Sequence, residues 1–260
     1  MNTTFDLEKK ELLDRAAALM QAHVPDGAHT LRERIALTCR ILFDDGQGVG
    51  LAGQITARGE QPGSYWTQRF GLGFDEIRAD NLLRVDADLQ VLEGSGMPNP
   101  ANRFHSWIYG ARPEVQCIVH THAPHAAALG MLEQPLQIAQ MDNCLLYDDV
   151  AFVGHWPGVP FGNEEGRFIT DALGGKRAVL LSHHGLLVAG GSVEESCLLA
   201  LAFERAARLQ LLAAAAGEVR PIPPERGREA HDWMLKPKNT AASFGYLARR
   251  CLARHADALG

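Results

Sequence analysis

A chain of 260 residues, 46% hydrophobic and 22% charged, has the composition of a globular domain, and its length allows a core large enough to exclude disorder, collagen or coiled coil as global descriptions. Its net charge of −6 argues against a broad nucleic-acid-binding surface. No apolar run approaches the length of a membrane span and the N-terminus lacks a basic-then-apolar leader, so a soluble, cytoplasmic protein that engages neither nucleic acid nor membrane is expected.

The apolar spacing of Leu7, Leu12, Leu13 and Ala16 predicts a helix over residues 6–24. Thr30 and Glu33 form a capping-box pattern that opens a second helix over 31–43. The glycine-dense run 44–53 follows, then short strands and turns to residue 92, a helix Arg103–Ala111 and a β-branched strand Val115–His120. A helix or turn is expected over Ala123–Gly130, and Asn163 is placed to cap a helix that runs to Leu173. Residues 178–188 read as one or two buried strands with a break at Gly185. Ser192 with Glu195 is a second capping box and opens a helix to Ala216, whose Leu198, Leu201, Leu209 and Leu212 keep one face at helical periodicity. The proline-rich run 221–227 ends it, and two shorter helices close the chain. Helices mixed with short strands over the whole length predict an α/β domain, a sheet covered by helices.

Seven of the eleven histidines (His105, His120, His122, His125, His155, His183 and His184) fall within residues 105–184. His120 and His122 stand two apart at the end of a strand, so both imidazoles project from one face and can meet at one metal ion. His183 and His184 end a second strand and point to opposite sides, so one of them can join the first pair. Three neutral imidazoles with an open position suit catalytic zinc, and manganese or iron would accept the same set. The glycine run lacks the GK[ST] of a phosphate-binding loop, and no GxSxG or HExxH is present. Asp148 and Asp149 read as the start of a solvated turn, and Trp107, Trp156 and Trp233 as packing. The five cysteines are odd in number and in no CxxC pair, which reads as buried free thiols.

Three stretches together carry a resemblance: His120-Thr-His122 preceded by ARPEVQCIV, SHHGLLVAGGSVEES before the long helix, and GLAGQITAR near the N-terminus. In order and spacing, over residues 30–217, they resemble the class II aldolase/adducin family. The resemblance implies a three-layer α/β/α domain around a mostly antiparallel sheet (residues 29–217). An N-terminal helix within 1–28 precedes it. A helical extension over 218–260 follows, packed on the domain or on a neighbouring subunit, with Phe244 and Tyr246 over a neighbour's site. It implies a homotetramer, and a divalent metal, usually zinc, on His120, His122 and His184, with His183 turned away. His105 matches a family position that is not a ligand. The family's sugar-phosphate aldolases carry a catalytic glutamate where this chain has Ala101, which cannot move a proton. A TxxN pattern in the glycine loop becomes Leu51-Ala52-Gly53-Gln54, and a TPTG turn becomes Gln68-Arg69-Phe70-Gly71, so ready-made phosphate contacts are gone.

These departures favour a metal-dependent carbon–carbon lyase, a decarboxylase or aldolase acting on a small oxygenated keto or hydroxy acid rather than a sugar phosphate. Such a reaction needs a proton donor to the carbanion. His155, in a glycine-flanked loop suited to a site rim, ranks ahead of His125, Tyr147 and a metal-bound water. Arg69, at a turn position where a small residue is expected, is a candidate carboxylate-binding cation. The alternatives are an adducin-like binding protein with a vestigial metal site, and a dehydratase or iron-dependent oxygenase on the same ligands.

Overall fold

A computed structural model describes residues 4–25, 27–156, 158–159 and 161–260. Eight strands form one sheet: β1 (Gln54–Arg58), β2 (Ser64–Thr67), β3 (Leu83–Asp86), β4 (Val91–Glu93), β5 (Cys117–Thr121), β6 (Val150–Val153), β7 (Ala178–Leu181) and β8 (Gly185–Gly190), in the order β4-β3-β2-β1-β5-β8-β7-β6. Every neighbouring pair is antiparallel except β6 with β7. Helices α1 (Lys9–His23), α2 (Leu31–Asp44), α3 (Arg103–Ala111), α4 (Pro124–Met131), α5 (Asn163–Leu173), α6 (Val193–Ala214), α7 (Pro224–Met234) and α8 (Pro237–Leu252) complete the fold. This is the three-layer α/β/α arrangement around a mostly antiparallel sheet that the sequence implied.

The two faces of the sheet hold two cores. Cys117, Val119, Leu186 and Val188 point to one side and pack with Ile35, Leu42, Leu199 and Phe203 of α2 and α6. Ile118, Leu187 and Ala189 point to the other, against Phe104 and Ile108 of α3 and Ile169 of α5. On that second side Gly166 lets α5 approach α3, because a Cβ there would collide with the Trp107 indole. None of the described helices is long and apolar enough to cross a membrane.

Local signals set several boundaries. The Thr30 hydroxyl accepts from the Glu33 N–H at 3.3 Å and the Glu33 carboxylate accepts from the Thr30 N–H at 2.7 Å, which is the anticipated capping box. At α6 only half of the second box forms: Ser192 accepts from the Glu195 N–H at 3.0 Å, while the Glu195 carboxylate turns to the Gly191 N–H and Arg177. Asn163 does not cap α5; its side chain accepts from the Trp107 indole N–H at 3.1 Å, and Gly162 occupies the cap position.

Four other expectations are corrected. The leucine stripe of α6 is not its buried face: Leu212 is 60% exposed, and the core side is built from smaller or off-stripe residues, Cys197, Ala200, Phe203 and Ala207. Asp149 is no solvated turn residue; it is buried, accepts from Arg177 at 2.6 Å and immediately precedes β6, a strand whose short apolar run the sequence reading passed over. Trp156 is half exposed rather than packed. Phe244 does not cover a neighbour; it is buried with Leu37, Ile41, Cys197 and Ala248, where α8 packs on α2 and α6 of its own chain. All five cysteines are buried and free, as expected.

Candidate metal centre

His120 lies inside β5 and His122 just past its end, on the α3/α5 side of the sheet. His184 closes the turn between β7 and β8, and β8 pairs with β5 so that Leu187 stands opposite His120. Three ring centroids result at 4.7, 4.8 and 5.0 Å, with nitrogens that could bind one ion all within 4.8 Å of one another. Among the described residues this is the one cluster of three such groups.

The close approach depends on Gly185. A Cβ at that position would run into the Thr121 carbonyl oxygen and lie 3.1 Å from the His122 ring. Glycine therefore allows β8 to start hard against β5, which brings His184 beside His122. His183, the preceding residue, takes a left-handed backbone (φ 56°) and turns its ring to Glu133 at 2.9 Å, away from the trio.

The chemistry of the trio suits a metal. His120 Nδ1 lies 2.7 Å from the Leu186 carbonyl oxygen, and a carbonyl only accepts, so Nδ1 carries the proton and Nε2 presents a lone pair. His120 Nε2 and His122 Nε2 are 3.2 Å apart, close to the roughly 3.4 Å expected when two imidazoles bind one zinc tetrahedrally at about 2.1 Å. Burial pushes His120 well below the usual histidine range, and the His184 and His122 rings lower it further. Burial also lowers His122, and His184 falls to about 4 through burial and its proximity to His122. All three are thus neutral near pH 7, the state a metal ligand requires. The site is half open, since His122 and His184 are only partly covered.

Other groups stabilise this end of the sheet. Glu204 of α6, nearly buried, accepts from the His125 and Ala126 backbone N–H groups at 3.0 and 2.9 Å and contacts His125 Nδ1 at 2.6 Å. It holds the start of α4, two residues beyond His122. His105 is buried beneath the site, with Nδ1 2.8 Å from Thr56 Oγ1 and that hydroxyl 2.9 Å from the Tyr109 hydroxyl; burial lowers His105 to about 3. Sequence reasoning missed Glu204, a lone acid on a helix, and the Leu186 carbonyl, which leaves no side-chain signal.

The remaining candidates lie outside the trio. Arg69 follows β2, exposed, with its stem over Gly96 and its backbone bridged to Pro98. His155 is exposed in the loop after β6, its ring 5.1 Å from that of Phe168. That loop leaves the same end of the sheet as the trio, but β6 is three strands from β5, about 14 Å at ordinary strand spacing. His125 is tied to Glu204. Tyr147 packs against Gly227 of α7. Ala101 is buried near the start of α3 and offers no titratable group.

Residues 33–211 match the model of the class II aldolase and adducin N-terminal domain. Over 202 residues the chain is 32% identical to a 4-hydroxy-3-prenylphenylpyruvate oxygenase/4-hydroxy-3-prenylbenzoate synthase of Streptomyces roseochromogenus subsp. oscitans, covering 76% of this chain and 72% of the relative. It is also 32% identical over 202 residues to decarboxylase NovR of Streptomyces niveus, covering 76% and 74%. Among solved structures, an L-fuculose 1-phosphate aldolase from Glaciozyma antarctica PI12 superposes with a TM-score of 0.83 at 27% identity, over 93% of this chain and 99% of that one. With the three-layer fold and the three-imidazole cluster at the strand ends, the chain belongs to the class II aldolase and adducin N-terminal domain family.

Proposed function

We propose that this protein is a divalent-metal-dependent carbon–carbon lyase, a decarboxylase or aldolase of a small oxygenated keto or hydroxy acid. The observation that carries the proposal is the preorganised trio of neutral imidazoles, His120, His122 and His184, at a half-open strand end. The similarity to a named decarboxylase and to a named aldolase supports a lyase. Zinc is the proposed ion, with manganese or iron acceptable to the same donors. When bound, a divalent ion supplies Lewis-acid stabilisation of negative charge on substrate oxygens.

The chain's own groups do the rest. Leu186 fixes the His120 tautomer, Gly185 sets the His184 approach, and Glu204 holds the segment after His122. Arg69 is the proposed carboxylate partner, its guanidinium free of any partner among the described residues. His155 is the proposed proton donor, from the exposed loop at the same end of the sheet. Position 101 itself supplies no carboxylate, so the proton has to come from another group. Assembly as a homotetramer belongs to the same proposal.

Bound metal per chain in protein purified without added metal, measured beside the His122→Ala variant, tests the reading. Near one equivalent in the parent and none in the variant is the expected result. His155→Gln should keep the metal and lose turnover of keto or hydroxy-aromatic acids. No metal in the parent after incubation with zinc, manganese or iron(II) overturns the proposal. The similarity to a protein named as an oxygenase favours one second reading, iron-dependent oxygenation on the same ligands; selective retention of iron(II) and oxygen uptake with substrate would establish it.

A further inference from the structure

Leu198, Leu201, Leu209 and Leu212 of α6 line one wall of a cavity of about 740 Å³, which α2, α8 and the turn Met141–Leu146 complete. Small-molecule clefts span about 300–1,000 Å³. The cavity lies on the α2/α6 side of the sheet, whereas the imidazole trio lies on the α3/α5 side, and the two share no residue. Several charged groups around it are already engaged: Arg254 with Asp44 at 2.8 Å, Arg205 with Asp142 at 3.1 Å, and Glu204 with the start of α4. Others lack such partners. Arg208 has no ion pair or hydrogen bond among the described residues. Asp45 accepts from the Gln47 amide at 2.9 Å and has no cation within ion-pair distance among them. Burial pushes the Asp45 carboxyl up, and the Gln47 hydrogen bond and the nearby Arg208 charge pull against it. Asn143 is 2% exposed, and its amide carbonyl has no hydrogen-bond partner among the described residues.

A buried carbonyl without a donor costs free energy that an N–H of a ligand can recover. An unpaired cation, two acceptors and a leucine wall around one cavity complement a molecule that joins a carboxylate, an ammonium group and an apolar side chain. Its carboxylate pairs with Arg208, its ammonium donates to Asp45 and the Asn143 carbonyl, and its side chain covers the leucines. An apolar acid without the ammonium would bring its charge up to the Asp45 carboxylate, and an amine without the carboxylate would meet Arg208, so both are disfavoured. We propose that this cavity is a second binding site, for α-amino acids with a large apolar side chain. The proposal goes beyond the lyase reading and does not depend on it.

The test is calorimetric titration of the full-length protein with L-phenylalanine. Amino acids also chelate metal ions, so the zinc-loaded parent is titrated beside His122→Ala, which breaks the trio and leaves the cavity intact. Equal affinity in the two is expected. R208Q and D45N, both at exposed positions, should each weaken binding about 10- to 100-fold, the worth of a hydrogen bond to a charged group. 3-Phenylpropionate lacks the ammonium, phenethylamine the carboxylate and L-alanine the ring, and each should bind at least about tenfold more weakly than L-phenylalanine. No heat of binding up to about 10 mM L-phenylalanine overturns the proposal. So does binding confined to the zinc-loaded parent, which would put the ligand on the metal. Affinity unchanged in either R208Q or D45N overturns it as well, and 3-phenylpropionate binding as tightly as L-phenylalanine removes the amino-acid assignment. None of these outcomes bears on the zinc stoichiometry by which the lyase reading is judged.

Discussion

Substituting Gly185→Ala tests how the trio is assembled. The added methyl would overlap the Thr121 carbonyl oxygen, a backbone atom of β5 that cannot rotate away, and press on the His122 ring from 3.1 Å. Relief requires the start of β8 to move outward by about 1 Å. Metal–nitrogen distances tolerate only about 0.2 Å, so His184 would leave bonding range or pull His122 with it. The expected loss in zinc affinity is ten- to a hundredfold, or about 1.4–2.8 kcal/mol. The metal-free fold should lose about 1–3 kcal/mol through overpacking. Competition against a chromophoric chelator reads the first quantity and chemical denaturation of the metal-free protein the second. Gly110→Ala, near the end of α3 with open space around its Cβ position, is the matched control and should leave zinc affinity unchanged. A folded Gly185→Ala protein with zinc affinity within twofold of the parent would refute the close-approach argument.

Two further outcomes follow from buried polar groups. Glu204→Ala leaves the His125 and Ala126 N–H groups without their acceptor in a buried setting; a destabilisation on the order of 3 kcal/mol is expected in urea titration, and a loss below 0.5 kcal/mol would show that α4 does not depend on this carboxylate. His231 of α7 lies 3.4 Å from Asp149, and the hydrogen bond to Asp149 raises its pKa above the ordinary 6.5. Asp149 is held below 3.8, since its hydrogen bonds from His231 and Arg177 outweigh the upward push of burial. A raised histidine contributes its stability below its unfolded pKa and loses it as pH rises through the folded value. A depressed carboxylate contributes above its unfolded pKa and loses its share as pH falls through its folded value. The destabilisation by His231→Gln should therefore be largest around pH 5–6 and shrink toward pH 9; a stability difference that does not vary with pH would contradict the ion-pair assignment.

Much of the outcome was legible in the sequence. The Thr30–Glu33 box, the strand and turn signals around residues 54–93 and the spacing of His120 and His122 are local features, and local backbone geometry obeys them. Periodicity was less dependable where two faces of an element compete for burial. Leu198, Leu201, Leu209 and Leu212 sit on one side of α6, yet its other side, with Leu199, Ala200, Phe203 and Ala207, meets the sheet, because burial against the sheet and α2 is decided by tertiary packing rather than by the leucine spacing. Asp149 read as solvated because its partners, Arg177 and His231, lie 28 and 82 residues away in the chain.

The sequence alone determined which side chains can ligate a metal, that two of them share a strand face, and that no carboxylate stands at position 101. Tertiary structure decided which member of the His183–His184 pair completes the trio, since the left-handed turn at His183 and the approach permitted by Gly185 are set by the pairing of β5 with β8. It also decided that each imidazole is neutral and that His120 presents Nε2, because burial and the Leu186 carbonyl are properties of packed neighbours, not of the chain read in order.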